Sequence, residues 1–267
     1  MEKRTEGRKV IAVCGKGGAG KTAVSAGLVR LFAKQHGQRL LAVDADPAVG
    51  LAACLDVTPK ITLNDIRTEV IERARGREGI RELERHVDYR LFEALVETQG
   101  FCLIAVGRPE EEGCYCSVND LLRDAIAALA DDFDVTVIDG EAGVEQINRR
   151  VMETVTHLLL VSDVSARGIN VARTIRDVAS RAMPEARVGI ILNRLRGEGD
   201  VMRVTLPKGI PLLGWLPEDE AIRDSDARGI SILDLSDCPF LTSLERCAEA
   251  FGAVSYTHLT LPTIYSV

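Results

Sequence analysis

The stretch from Gly15 to Thr22 reads Gly-Lys-Gly-Gly-Ala-Gly-Lys-Thr and fits the phosphate-binding loop pattern, in which four residues separate the first glycine from Gly-Lys-Thr. Its glycines allow backbone N–H groups to approach phosphate oxygens with no Cβ in the way. Lys21 offers a positive charge to the outer phosphates, and the Thr22 hydroxyl can ligate Mg²⁺. We therefore predict ATP and Mg²⁺ as cofactors, with the nucleotide held by Gly15, Gly17, Gly18, Ala19, Gly20, Lys21, Thr22 and Ala23.

Two aspartates end apolar stretches that read as strands, where a phosphate-loop protein must handle magnesium and water. Asp139 ends the stretch 135–139, which fits a Walker B strand, so we expect its carboxylate to hold Mg²⁺ through water. Asp44 opens the run Asp44-Ala45-Asp46-Pro47 after another such strand. The alternative for Asp44, Asp46 and Asp139 is that they only stabilise the turns that follow.

Cys114 and Cys116 lie in a polar loop just ahead of a predicted helix that opens with Ser117. A helix N-terminus lowers the pKa of a thiol and favours the thiolate, the form that binds metals. Two thiolates do not complete a soft-metal site, which takes four donors, but a symmetric dimer would bring two such pairs together. We predict a Ni²⁺ or Zn²⁺ ion shared by Cys114 and Cys116 across a dimer. The alternative is two incidental cysteines.

These residues need elements that bring them together, and apolar runs alternate with segments of helical periodicity along most of the chain. Connections of this length imply parallel strands with helices on both faces. The predicted fold class is α/β, a three-layer P-loop NTPase domain with a mainly parallel sheet. The charge-rich stretch Ile66 to Leu95 is expected to form one or two surface helices broken near Gly76 and Gly79, with a docking face for a client protein as the alternative.

The composition restricts the class of protein further. The 267 residues are 46% hydrophobic and 27% charged, which suits one large domain. A net charge of −7 argues against a nucleic-acid-binding surface, and no run approaches the ~18 apolar residues of a membrane span. Seven cysteines without a secretory signal predict free thiols in a cytoplasmic protein.

The composition changes abruptly after Ala253. Residues 254–267 contain no acidic or basic residue apart from His258 and show no helical period, and 254–263 resemble a translated sequencing-library adaptor. We therefore expect a single P-loop ATPase domain over residues 1–253 and a non-native tail over residues 254–267.

Lys16 is an addition to the ordinary phosphate loop, and with it the loop resembles the deviant Walker A motif of the MinD/ParA/nitrogenase-reductase group. The resemblance implies that Lys16 reaches across a homodimer to the partner's nucleotide. It also implies that Lys16, Lys21 and Asp44 are catalytic, with Asp44 on the attacking water. Adenine would be bound by Asn193 of an Asn-Arg pair, with Pro217 completing the base pocket.

The motifs taken together resemble the CooC type, ATPases that mature carbon monoxide dehydrogenase by supplying nickel. The resemblance covers about residues 8–252. The phosphate loop indicates only the wider ATPase group, and the Cys-Tyr-Cys sequence at 114–116 restricts the resemblance to the CooC type. One departure is Glu145-Gln146, where Glu-His is expected. The implied function is a cycle in which ATP and metal favour a closed homodimer. Hydrolysis then releases nickel to a client such as carbon monoxide dehydrogenase or acetyl-CoA synthase.

Two other functions stay open at this point. An iron–sulfur carrier or reductase of the same group would hold a cluster on the four cysteines of a dimer. The second is a positioning ATPase of the MinD/ParA class, which would need a C-terminal amphipathic membrane helix or a basic DNA-binding face. The sequence shows neither, so we expect no nucleic-acid and no membrane partner.

Overall fold

The computed structural model describes residues 7–35, 37–75, 80–108, 127–140 and 154–253. Within these ranges there are eight strands, namely β1 Lys9–Gly15, β2 Leu40–Asp44, β3 Val96–Glu97, β4 Cys102–Ala105, β5 Val135–Asp139, β6 His157–Ser162, β7 Arg187–Leu195 and β8 Leu212–Pro217. They form one sheet in the order β3-β4-β2-β5-β1-β6-β7-β8.

Neighbouring strands of the sheet pair in parallel, except at one edge. There β3 runs antiparallel to β4, with Val96 opposite Leu103. The predicted mainly parallel sheet is thus confirmed. Strand β3 was not predicted, because a two-residue strand is too short to show an alternating pattern.

Helices connect the strands. Four of them precede β3 in the chain, namely α1 Lys21–Ala33, α2 Gly50–Cys54, α3 Leu63–Arg75 and α4 Ile80–Ala94. Later helices span Ala166–Ala182, Glu198–Val201, Glu220–Arg228 and Pro239–Ala250, and residues 127–131 are also helical. The charge-rich stretch, predicted to form one or two helices, contains α3 and α4, and Gly76 and Gly79, where a break was expected, lie outside the described residues. None of the described helices is long and apolar enough to span a bilayer.

The alternation of side chains along β1 shows how the three layers form. Val10, Ala12 and Cys14 pack on one face of the sheet, in a core shared with α3, α4 and the helix Ala166–Ala182. Ile11 and Val13 pack on the other face, with α1 and the helix Pro239–Ala250. Because both faces are covered, the central strands are buried along their length, and their carboxyl ends meet at one edge of the sheet.

Candidate functional site

The phosphate loop runs from the end of β1 to the start of α1, and three of its glycines occupy positions where a larger residue would clash or be strained. A Cβ on Gly15 would lie 2.0 Å from the Val161 carbonyl oxygen in the neighbouring strand β6. Gly18 and Gly20 have φ angles of 78° and 90°, in the left-handed region that favours glycine. Gly20 is also the residue that precedes α1, so the amino end of this helix faces the loop.

The donors of the loop converge on one carbonyl. The Lys16 carbonyl accepts hydrogen bonds from the Ala19 N–H at 3.2 Å and from the Lys21 Nζ at 3.4 Å. Lys21 is only 9% exposed. These are the two kinds of donor that the motif directs at phosphate oxygens, so phosphate oxygens would compete with the Lys16 carbonyl for them.

Asp139 lies at the bottom of the site and is bonded to two hydroxyl side chains of α1. Its carboxylate accepts from the Ser25 Oγ at 2.8 Å and also from Thr22. Burial raises the pKa of Asp139 to about 6, and the hydrogen bonds from Ser25 and Thr22 oppose that rise. A carboxylate and the phosphate-loop hydroxyl in direct contact form an oxygen donor set that fits Mg²⁺.

Asp44 is the Cα register partner of Asp139 across β2 and β5, so these two predicted site aspartates lie side by side. Asp44 is fully buried, and burial raises its pKa. Its carboxylate accepts from the backbone N–H of Asp46 at 3.2 Å and of Ala52 at 2.9 Å. In this structure Asp44 therefore fixes the loop and the start of α2. Asp46 likewise supports the loop, by accepting from the Ala48 N–H at 2.8 Å.

Lys16 is bonded within its own chain. Its ammonium lies 3.0 Å from the Asp163 carboxylate, which follows the end of β6. The role of Lys16 across a dimer stays a prediction. Asp163 was not among the predicted site residues, although the signal that found Asp44 and Asp139, an acid at a strand's carboxyl end, applies to it equally.

Asn193 lies against the phosphate loop, with 3% of its surface exposed. Its Nδ2 donates to the Ala19 carbonyl at 2.8 Å, and its Oδ1 accepts from the Arg194 N–H at 2.9 Å. Pro217 ends the next strand, opposite Leu195. The structure thus places both predicted base-pocket residues at neighbouring strand ends, and their contact with adenine stays a prediction.

Cys114 and Cys116 lie outside the described residues, as does Glu145-Gln146. The other five cysteines are free thiols, and burial is the first cause that raises the pKa of each: Cys14, Cys54, Cys102, Cys238 and Cys247. Within the described ranges no three or more His, Cys, Asp or Glu side chains are grouped to hold a metal ion. Elsewhere in the site, Ala23 lies partly buried in the first turn of α1.

The model of one protein family, the CobQ/CobB/MinD/ParA nucleotide binding domain, matches residues 10–232. The chain belongs to this family. The match spans the phosphate loop, both aspartates and the ends of β7 and β8. The chain is accordingly an ATP-binding P-loop protein.

Two relatives illustrate the range of this family. An uncharacterized ATP-binding protein of Methanocaldococcus jannaschii is 36% identical over 234 residues, which cover 85% of this chain and 92% of the relative. The carbon monoxide dehydrogenase accessory protein CooC of Rhodospirillum rubrum is 31% identical over 239 residues, which cover 85% of this chain and 90% of CooC.

Solved structures of family members have the same architecture. The cell division ATPase MinD of Pyrococcus furiosus superposes with a TM-score of 0.65 at 25% identity, covering 93% of this chain and all of that one. MinD of Pyrococcus horikoshii, solved in complex with Mg-ADP, gives a TM-score of 0.62 at 22% identity and covers 91% of this chain and 95% of that one. The predicted three-layer α/β fold is confirmed.

Proposed function

We propose that this chain is an ATP-hydrolysing metallochaperone of the cytoplasm that forms a homodimer with ATP and metal and delivers nickel to a carbon monoxide dehydrogenase or acetyl-CoA synthase client. The observation that carries the proposal is the 31% identity to CooC over 85% of the chain. The Cys-Tyr-Cys motif at residues 114–116 supports the metal part of the proposal.

The ATPase half of the proposal rests on the geometry of the phosphate loop. Lys21 would meet the outer phosphates, and Thr22 with Asp139 would hold Mg²⁺, whose charge stabilises the phosphate oxygens when it is bound. Asp44 lies beside Asp139 and would orient the attacking water once its bonds to α2 are exchanged. Lys16, at the mouth of the loop, would serve the partner's nucleotide.

The metal half rests on the distribution of thiols. Burial raises the pKa of all five described cysteines, which disfavours the metal-binding thiolate at each of them. Cys114 and Cys116 are left as the candidate thiolates. Two chains would supply the four donors that a soft-metal site takes, and this links metal binding to the ATP-driven dimer.

We also infer that the ATPase domain extends to residue 253. Ala253 is 1% exposed, and its carbonyl accepts a hydrogen bond from the Lys9 Nζ at 2.7 Å, beside the first strand. This contact supports a folded unit that extends as far as Ala253.

The test is transfer of radioactive nickel to a nickel-free client enzyme. The loaded wild-type chain should activate the client in a reaction that needs ATP, whereas Lys21→Ala should hydrolyse no ATP and transfer little nickel. Cys114→Ser and Cys116→Ser should carry no nickel, and Cys102→Ser serves as the matched control. Transfer that proceeds equally with Lys21→Ala contradicts the proposal. Iron and sulfide in anaerobically purified protein would instead support an iron–sulfur carrier.

A further inference from the structure

Strand β7 contains an extra residue where it passes the phosphate loop. Leu192 is the register partner of Trp215, and Leu195 is the partner of Pro217, so three steps along β7 match two along β8. Such a bulge redirects the side chains at its position. Within the bulge Arg194 has a φ of 62°, in the left-handed region that residues other than glycine rarely occupy. Conformations of this kind persist only where the surrounding structure enforces them.

The bulge directs the adjacent side chains of Asn193 and Arg194 onto the side of the phosphate loop that faces β7, which is its outer side. The Arg194 Nη1 donates to the Gly18 carbonyl at 3.0 Å, next to the 2.8 Å bond from Asn193 to the Ala19 carbonyl. A Cβ on Gly20 would lie 2.3 Å from the Asn193 Nδ2 and 3.9 Å from the Arg194 Nε. The glycine at position 20 therefore leaves the space that the Asn193 side chain occupies, whereas the Arg194 side chain would meet such a Cβ only at an ordinary contact distance.

Peptide geometry shows what these two bonds do. In a planar trans peptide the C=O and the N–H point in opposite directions. A Gly18 carbonyl held on the outer side turns the Ala19 N–H inward, where it meets the Lys16 carbonyl together with the Lys21 ammonium. In the same way, holding the Ala19 carbonyl outward turns the Gly20 N–H inward. Inward N–H groups of this kind bind phosphate oxygens.

We propose that Arg194 is a positioning residue for the nucleotide, which orients phosphate-binding N–H groups by holding the Gly18 carbonyl. The inference rests on nucleotide binding at this loop, as in the proposed function. The guanidinium is a charged donor, and a charged donor makes a stronger hydrogen bond than a neutral one. The N–H groups of Ala19 and Gly20 belong to the part of a phosphate-binding loop that cradles the inner phosphates, which ATP and ADP share. Loss of the Arg194 side chain should therefore weaken the binding of ATP and the binding of ADP to the same extent.

The test separates affinity from stability by using two substitutions. Arg194→Gly removes the guanidinium and relieves the left-handed strain, whereas Arg194→Ala removes the guanidinium and keeps the strain. Both variants should bind Mg-ATP and Mg-ADP about tenfold more weakly by calorimetric titration, which is the loss of about one charge-assisted hydrogen bond. Arg194→Gly should melt at or above the wild-type temperature, and Arg194→Ala below it. The KM for ATP should rise while kcat at saturating ATP stays within about twofold.

Arg196→Gly is the matched control, because it removes an exposed arginine two residues away whose side chain has no contact with the loop among the described hydrogen bonds. It should bind nucleotide as the wild type does. If the wild type binds ATP and Arg194→Gly binds it equally well, this inference is overturned and the proposed function stands. A fall in kcat without a change in affinity would also overturn it. A wild-type chain that binds no ATP overturns both.

Discussion

The Lys16 ammonium lies 3.0 Å from the Asp163 carboxylate of the same chain. Asp163 also accepts from the N–H and the hydroxyl of Ser165, the residue that caps the helix Ala166–Ala182. Partial burial would raise the pKa of Asp163, but the bonds from Ser165 and Lys16 outweigh it and lower that pKa. Any action of Lys16 on a partner's nucleotide therefore requires this pair to separate.

We predict that Asp163→Asn favours the ATP-bound dimer. The amide retains an oxygen for Ser165 but loses the charge that holds Lys16. Since both side chains are about one-third exposed, the pair contributes about 1 kcal/mol or less to stability, so the fold should be little affected. Sedimentation velocity with ATP should show dimers at lower protein concentration than for the wild type. Asp177→Asn, which removes an equal charge from an exposed ion pair with Arg176, is the control. Weaker dimerisation in Asp163→Asn would mean that the pair supports the dimer.

We predict that Mg-ATP binding weakens below pH 6 because of Asp139. Burial raises the pKa of Asp139 to about 6, so this carboxyl takes up a proton as the pH falls through 6. The neutral form attracts Mg²⁺ less strongly, and affinity should fall by about tenfold near pH 5. ATP itself titrates in this range, so the measurement is the ratio of wild-type to Asp139→Asn dissociation constants from pH 7.5 to 5. A ratio that does not change with pH would exclude Asp139 as the titrating group.

His157 should make the fold sensitive to acid. It is 7% exposed, its Nε2 has no hydrogen-bond partner among the described residues, and its ring packs edge-on against Phe251. Burial, with Arg187 and Lys9 nearby, lowers its pKa to about 4. Between pH 6.5 and 4 the unfolded chain binds a proton that the folded chain does not, so this stability is lost as the pH falls, by roughly 3 kcal/mol at most.

The experiment for His157 is a comparison with His157→Phe, which keeps the ring contact and cannot take up a proton. Asp139 opposes the effect, because its raised pKa favours the folded state as the pH falls, but its contribution is common to both proteins. The free energy of unfolding of wild type minus variant should therefore decrease from pH 7 to pH 4. A constant difference would show that His157 does not titrate in this range.

The sequence predicted the parts of the site that local pattern determines. The glycine loop, Asp44 and Asp139 could be predicted to lie at strand ends, because an apolar run followed by an acid or a glycine is a local signal in the sequence. The roles of Ser25 and Arg194 depend on contacts across the fold. The direction of Arg194 follows from a bulge in β7, which depends on pairing with β8 and which no run of neighbouring residues indicates.

The same distinction applies to Asn193. Its position at the end of a strand followed from the sequence, but its contact with the Ala19 carbonyl follows from how the end of β7 lies beside the phosphate loop. The five-residue helix α2 was also absent from the prediction, because it is too short to show helical periodicity and is held by the Asp44 carboxylate.

The central claim is an ATP-dependent dimer that holds one metal ion between Cys114 and Cys116 of its two chains. The measurement is titration of the reduced protein with Ni²⁺ or Zn²⁺ in the presence of ATP, with X-ray absorption to count the sulfur neighbours. Either single Cys→Ser change should remove the site, because symmetry deletes two ligands at once, while nucleotide binding should persist. We predict one ion per two chains with four sulfur neighbours. One ion per chain, or fewer than four sulfurs around it, would contradict the claim.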